Sequence, residues 1–206
     1  MAEPNHPWNP LPVLPRGDDS ADVLYMAVGK ALSTWELMEA MLGIVFARLV
    51  LAEYEGAQRA YGTITSFAGR KDMLDAAFEA FPHRKDIPEF KGVLKKVSNF
   101  SPRRNEIAHG MVLPVGHSGN PSGDYYLLPA TYNSRKRLSS VEYLDRYADV
   151  PDRPWHVGLS YAYTSAQVNY YQLEFVQLTA DVQQLADHIG KVINQHRKQS
   201  LDKVSG

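Results

Sequence analysis

The chain has 206 residues, no cysteine, and a formal net charge of −1 from 22 basic and 23 acidic side chains. Absent thiols exclude disulfides, thiolate metal sites and cysteine nucleophiles, and the near-neutral balance means that any basic surface must be local rather than global. An apolar content of 44% with 22% charged residues describes an ordinary globular chain, with enough apolar side chains for one ample core plus appendages.

Residues 1–17 carry prolines at 4, 7, 10, 12 and 15 and no periodicity, so they read as a flexible, extended Pro-rich arm that can also strap a partner subunit. The same prolines stand where a signal peptide would need a basic start and an apolar run. The longest apolar stretch, Met41 to Ala52, is interrupted by Arg48 and falls short of the ~20 residues that cross a bilayer. These features set the expectation of a cytoplasmic protein with no membrane partner.

Asp18, Asp19 and Ser20 are N-cap candidates for a helix from about 20 to 55. Its seam is Leu24, Val28, Ala31, Trp35, Met38, Leu42, Val45 and Leu49, in alternating steps of four and three. At the other end, after Thr164 and Ser165, the same alternation runs through Val168, Tyr171, Phe175, Leu178, Val182, Leu185, Ile189 and Val192. Both stripes read as core faces of an elongated bundle. Glu36 and Glu39 flank Trp35 and read as solvated, with pairing to Arg70 or Arg104 as the alternative if they are buried.

Between these helices, Ser66 to Phe81 reads as a second helix, closed by Pro82, with Phe67, Leu74, Ala77, Phe78 and Phe81 inward. Tyr61 and Ile64 can extend it backwards across Gly62. A third helix opens at Asp86 and Glu89, which have capping-box spacing, and buries Phe90, Val93, Leu94, Val97 and Phe100. Ser101 and Pro102 then make either a kinked continuation or a new helix start. Residues 114–124 have loop composition, Tyr125 to Leu128 reads as a strand, and 155–163 alternates as a second strand, with a short helix at 140–147 between them. The expectation is a mainly α fold: an elongated four-helix bundle with a small β-hairpin or sheet inserted between the third and fourth helices. The boundaries are a single domain over 18–198, with the insertion at 113–164, and a tail at 199–206.

The stretch Arg103-Arg104-Asn105-Glu106-Ile107-Ala108-His109-Gly110 carries the chemistry. Arginine keeps its charge at any working pH and grips phosphate oxygens through a planar fork, while histidine exchanges protons near neutrality. On a helix Asn105 and His109 lie about 40° apart, whereas Arg104 and His109 diverge by about 140°. Arg104 therefore reaches the same site only by wrapping its stem, by a distorted helix end, or by serving a second subunit. Residues 84–104 hold seven basic side chains against two acidic ones, among them Lys95, Lys96 and Arg103, a candidate phosphate- or RNA-binding surface whose alternative is a solvated helix face.

Arg104, four intervening residues beginning with Asn105, and His109 resemble the signature of the HEPN family, small all-α domains of which many are metal-independent endoribonucleases and toxins. The literal match covers about seven residues. The resemblance implies a homodimer that cleaves RNA by attack of its own 2′-hydroxyl on the adjacent phosphate. His109 would act as general acid or base, Arg104 would hold the phosphorane, and Asn105 would orient either of them. It implies no metal or other cofactor, and toxin or phage-defence biology with RNA and an antitoxin or other protein as partners. Two alternatives stay open: a non-catalytic nucleotide-, RNA- or protein-binding module, and a scaffold in which Ile-Ala-His-Gly only ends a helix, with His109 favoured by the macrodipole and Gly110 as the usual residue past it.

Five other histidines, His83, His117, His156, His188 and His196, read as surface or packing residues with no metal-ligand spacing. Gly29-Lys30 and Gly190-Lys191 lack the frame of a phosphate loop, Ser118 lacks a nucleophile elbow, and Ser200-Leu201-Asp202-Lys203 is an isolated match in a polar tail.

Overall fold

A computed structural model describes residues 6–117, 120–147 and 155–204. The chain is mainly helical with a small two-stranded antiparallel sheet: α1 (Ala21–Leu49), α2 (Tyr54–Gly62), α3 (Phe67–Ala80), a 3₁₀ turn (Arg84–Asp86), α4 (Phe90–His109), β1 (Gly110–His117), β2 (Asn120–Pro129), α5 (Ser140–Tyr147) and α6 (Ser165–Val204). No described helix is long and apolar enough to cross a membrane. The chain groups into two compact units, one of residues 1–33 and 102–174, the other of 34–101 and 175–206. The chain passes between units inside α1, α4 and α6, so no linker composition marks the change.

In the first unit the hairpin runs in register from Gly110↔Pro129 to Val115↔Asp124, with an irregularity before His117↔Asn120. The loop expected over 114–124 is therefore mostly strand, and residues 118–119 lie outside the described residues. A two-stranded ribbon tolerates Pro114 and Pro121, because the outer edges of its strands are bridged, among the described residues, only at Tyr125 and Leu127 of β2. The other edge of β2 is covered by isolated bridges. Asp18 and Tyr125 exchange both backbone bonds at 3.0 and 2.8 Å, and Leu127 and Tyr163 do so at 2.8 and 3.0 Å. The strand expected over 155–163 does not form. Residues 155–158 turn, Gly158 at φ +93° would bring a Cβ against Leu138 and Tyr143, and Tyr161, Ala162 and Tyr163 are all buried instead of alternating.

Residues 9–18 are tied to their own unit. Tyr171 Oη donates to the Asn9 carbonyl at 2.9 Å and accepts from Leu11 N at 3.1 Å, Gln167 Nε2 donates to the Pro12 carbonyl at 2.7 Å, and Tyr126 Oη donates to the Leu14 carbonyl at 3.1 Å. Asp18 accepts from both Ser165 N (2.7 Å) and Ser165 Oγ (2.5 Å) and so holds the first turn of α6, while Ser20, another of the three cap candidates, accepts from Asp22 N at 3.1 Å at the start of α1. Thr164 and Gln167 close that turn reciprocally, Thr164 N donating to Gln167 Oε1 at 3.0 Å and Gln167 N to Thr164 Oγ1 at 3.4 Å.

The second unit holds the rest of the α1 and α6 seams, which are buried as their periodicity requires: Trp35, Met38, Leu42 and Val45 on α1, Phe175, Leu178, Val182, Leu185 and Ile189 on α6. Trp35 packs edge-on against Phe67 and Phe175. Glu39, expected on a solvated face, is only 6% exposed. Its carboxylate accepts from Arg70 Nη1 at 2.9 Å, Trp35 Nε1 at 3.2 Å and Tyr61 Oη at 3.4 Å, which compensates its burial. α3 starts at Ser66 as expected, its Oγ accepting from Gly69 N at 3.1 Å.

α1 stops well before 55. Leu51 sits at φ 52°, Leu51 N bonds the Arg48 carbonyl at 3.2 Å and Ala52 N the Ala47 carbonyl at 3.2 Å, the double closure of a Schellman motif with leucine where glycine is usual. With no glycine to signal it, the stop is hidden from sequence reading, and α2, a separate helix, follows. α6 in turn runs through the expected tail to Val204, since nothing from 198 onward breaks it.

Left-handed leucine costs about 1 kcal/mol or more, so Leu51→Gly should raise unfolding stability by about that amount in urea denaturation. A second expectation concerns alkaline pH. Tyr126 is pushed up to about 12, chiefly by burial and then by Asp124 and Asp18, and burial also raises Tyr61, Tyr161, Tyr163 and Tyr171. Below pH ~10 folded and unfolded states both keep these protons; above it the unfolded chain ionises first, so stability falls as pH rises. For Tyr126 that loss spans pH ~10 to about 12, and Tyr126→Phe should flatten a series of urea midpoints over the same window.

Candidate functional site

α4 is one helix of 20 residues that passes through Pro102, so the octet is a continuation and not a new helix. Its burial follows helical spacing. Arg103, Glu106 and Ile107 are buried at 6, 5 and 1% exposure, whereas Asn105 and His109, four apart, are exposed on the opposite side. Arg104 is half-buried between these faces, and its Nη1 donates to Asn105 Oδ1 at 3.4 Å.

The inward face is a closed ionic cluster. Glu106 Oε1 accepts from Arg103 Nη2 and Lys136 Nζ, both at 3.0 Å, and Glu106 Oε2 accepts from Tyr163 Oη at 2.8 Å. Tyr161 Oη donates to the Glu106 carbonyl at 3.1 Å, and its ring stacks on Tyr163 with centroids 5.0 Å apart. Burial first and the Glu106 charge second raise both phenols, so they remain protonated donors across the physiological range. Arg103, expected to meet phosphate, is thus turned inward. A buried carboxylate next to a fixed cation takes its guanidinium in preference to solvent, and Arg103 Nε has no hydrogen-bond partner among the described residues.

α4 ends at His109, as the helix-ending reading expects, but Gly110 is not in the left-handed conformation of a helix cap. It is the first residue of β1, and a Cβ there would lie 2.7 Å from Leu127 Cγ and Cδ1 and 3.0 Å from the Glu106 carbonyl. Close strand approach, not a left-handed cap, requires glycine at this point.

Lys95 and Lys96 belong to the second unit. Lys95 is exposed, and Lys96 Nζ donates to Asp181 Oδ2 at 2.7 Å, so its charge is partly neutralised. After the hairpin, Lys136 serves Glu106 and Arg137 reaches the Pro129 carbonyl at 3.4 Å. The arrangement can therefore offer an exposed imidazole and amide on one helix face with one guanidinium beside them. Of the basic side chains considered, Arg103, Lys96 and Lys136 are each engaged by a carboxylate.

Sequence reasoning missed Glu106, Lys136, Tyr161 and Tyr163 as a unit. Only the Arg103–Glu106 spacing of three was legible as a helical ion pair; the other partners come from 30 to 60 residues downstream. An open cleft of about 420 Å³, lined by Val115, Leu128, Tyr143, Trp155 and Leu159 among others, lies in the same unit and contains no octet residue. In the second unit the histidines read as surface residues are engaged: His188 Nδ1 lies 2.5 Å from Glu89 Oε1, and His196 Nε2 lies 3.1 Å from Asp86 Oδ2.

No family model, curated protein or solved structure matches the chain. The HEPN-like reading rests on the octet.

Glu106→Ala leaves two cations and a phenol facing an emptied site and should destabilise the chain by about 3 kcal/mol or more, whereas Asn105→Ala should stay within about 0.5 kcal/mol. Chemical denaturation of the two variants separates the inward and outward faces of the same helical turn.

Proposed function

We propose that the chain is a HEPN-like, metal-independent endoribonuclease that works as a homodimer, with Arg104, Asn105 and His109 as its reacting face. The observation that carries this reading is the exposure of Asn105 and His109 on one side of the last turns of α4, while Glu106 holds Arg103 on the other side. A turn anchored by a buried ion pair keeps its outward side chains in fixed positions, which is what proton transfer at a phosphate demands.

In this mechanism the 2′-hydroxyl of a ribose attacks the adjacent phosphorus. His109 takes that hydroxyl proton or delivers one to the departing 5′-oxygen, worth about 10²- to 10⁴-fold. Arg104 neutralises the phosphorane through charge-assisted bonds, and Asn105 orients the imidazole or the phosphate. The products are a 2′,3′-cyclic phosphate and a 5′-hydroxyl. A second copy supplies the arginine that the ~140° divergence along one helix denies to its own histidine.

A second reading, a non-catalytic RNA- or nucleotide-binding module, is favoured by that same divergence taken within one protomer. Arg103 turned inward and Lys96 paired with Asp181 weaken its electrostatic grip.

Incubation with single-stranded RNA in excess chelator should give fragments ending in cyclic phosphate. Arg104→Ala and His109→Ala should each lower the cleavage rate by about 10²-fold or more without moving the thermal midpoint. Salt-sensitive binding without fragments would support the binding module, and cleavage undiminished in both variants would remove the octet from the chemistry.

A further inference from the structure

His83, Asp86 and His196 place one ligand atom each within 4.8 Å of one another. We infer that these three side chains form a site for a borderline divalent ion of the zinc type, separate from the octet and its reaction.

Three local causes bring them together. His83 and Asp86 stand at the ends of a 3₁₀ turn, closed by Asp86 N donating to the His83 carbonyl at 3.0 Å, and in such a turn residues three apart are eclipsed and face the same way. His83 is also held from behind, its ring edge-on to that of the fully buried Phe81 at 5.7 Å. Finally, α6 delivers His196, whose ring stacks on His83 with centroids 3.6 Å apart and planes 6° from parallel, and whose Nε2 is 3.1 Å from Asp86 Oδ2.

Two half-buried imidazoles and an exposed carboxylate are a donor set suited to zinc, with ligand distances near 2.0–2.2 Å and a fourth position left for solvent. Parallel rings direct their lone pairs side by side. Each imidazole must turn about its Cβ–Cγ bond for the nitrogens to converge, a motion open on the side of a groove of about 560 Å³ that His83 and His196 line with Leu51, Ile193 and Arg197. Arg84, Lys85 and Arg197 add positive charge nearby and temper the affinity. His188, two turns earlier on α6, is occupied by Glu89 and lies outside the set. The bound ion would clip the 3₁₀ turn to the C-terminal part of α6.

The test uses the untagged full chain, stripped with chelator and titrated with zinc by calorimetry, with cobalt absorption as a report on coordination. One zinc per chain is expected, with a higher thermal midpoint in its presence. His83→Asn, His196→Asn and the exposed Asp86→Asn should each weaken binding by ~10- to 100-fold or more, and His188→Gln should leave it unchanged. Because Asp86 is exposed, its replacement leaves the fold intact and reads the site alone. Zinc bound as tightly by all three variants, lost equally in His188→Gln, or not taken up by the parent chain would overturn the inference, whatever the outcome with RNA.

Discussion

The buried carboxylate of Glu106 is the constraint around which the first unit is organised. An ionised group 5% exposed is costly unless donors surround it, and here a guanidinium, an ammonium and a phenol do so. Each donor comes from a different stretch of chain: the end of α4, the segment after the hairpin, and the segment that pairs with β2. With Arg103 in the same helix, satisfying one charge fixes two long-range connections, to Lys136 and to Tyr163, and it determines which side of α4 faces out. Asn105 and His109 are exposed because Arg103, Glu106 and Ile107 are committed inward.

The start of α6 follows the same logic with neutral groups. A helix begins with amide donors that lack partners in the helix, and Asp18, Thr164 and Gln167 supply acceptors or close the turn. Asp18 belongs to the N-terminal segment, so capping α6 also docks that segment, and Tyr171, Gln167 and Tyr126 complete its hold. A proline-rich stretch with few amide donors can be fixed in this way because its carbonyls accept bonds from side chains.

In the second unit, buried charge is again matched locally, Glu39 by Arg70, Trp35 and Tyr61. Asp86 and Glu89 have the spacing of a capping box, yet each faces a histidine of α6. A carboxylate near a helix start can serve either role, and the available imidazoles decide it. This choice assembles the His83, Asp86 and His196 cluster.

The sequence by itself determined the helical character, the two long apolar seams, the start of α3 at Ser66, the short helix at 140–147 and a strand at Tyr125 to Leu128. All of these depend on periodicity or side-chain chemistry within a few residues. It also singled out Asn105 and His109 as partners on one helical face. Only the tertiary structure decided that Arg103 and Glu39 turn inward, that residues 155–163 do not form a strand, that α1 stops at a left-handed leucine, and that histidines 83 and 196 meet. Those outcomes depend on which distant group satisfies a charge, an amide or a ring face, and that competition between partners tens of residues apart leaves no periodic trace in the chain.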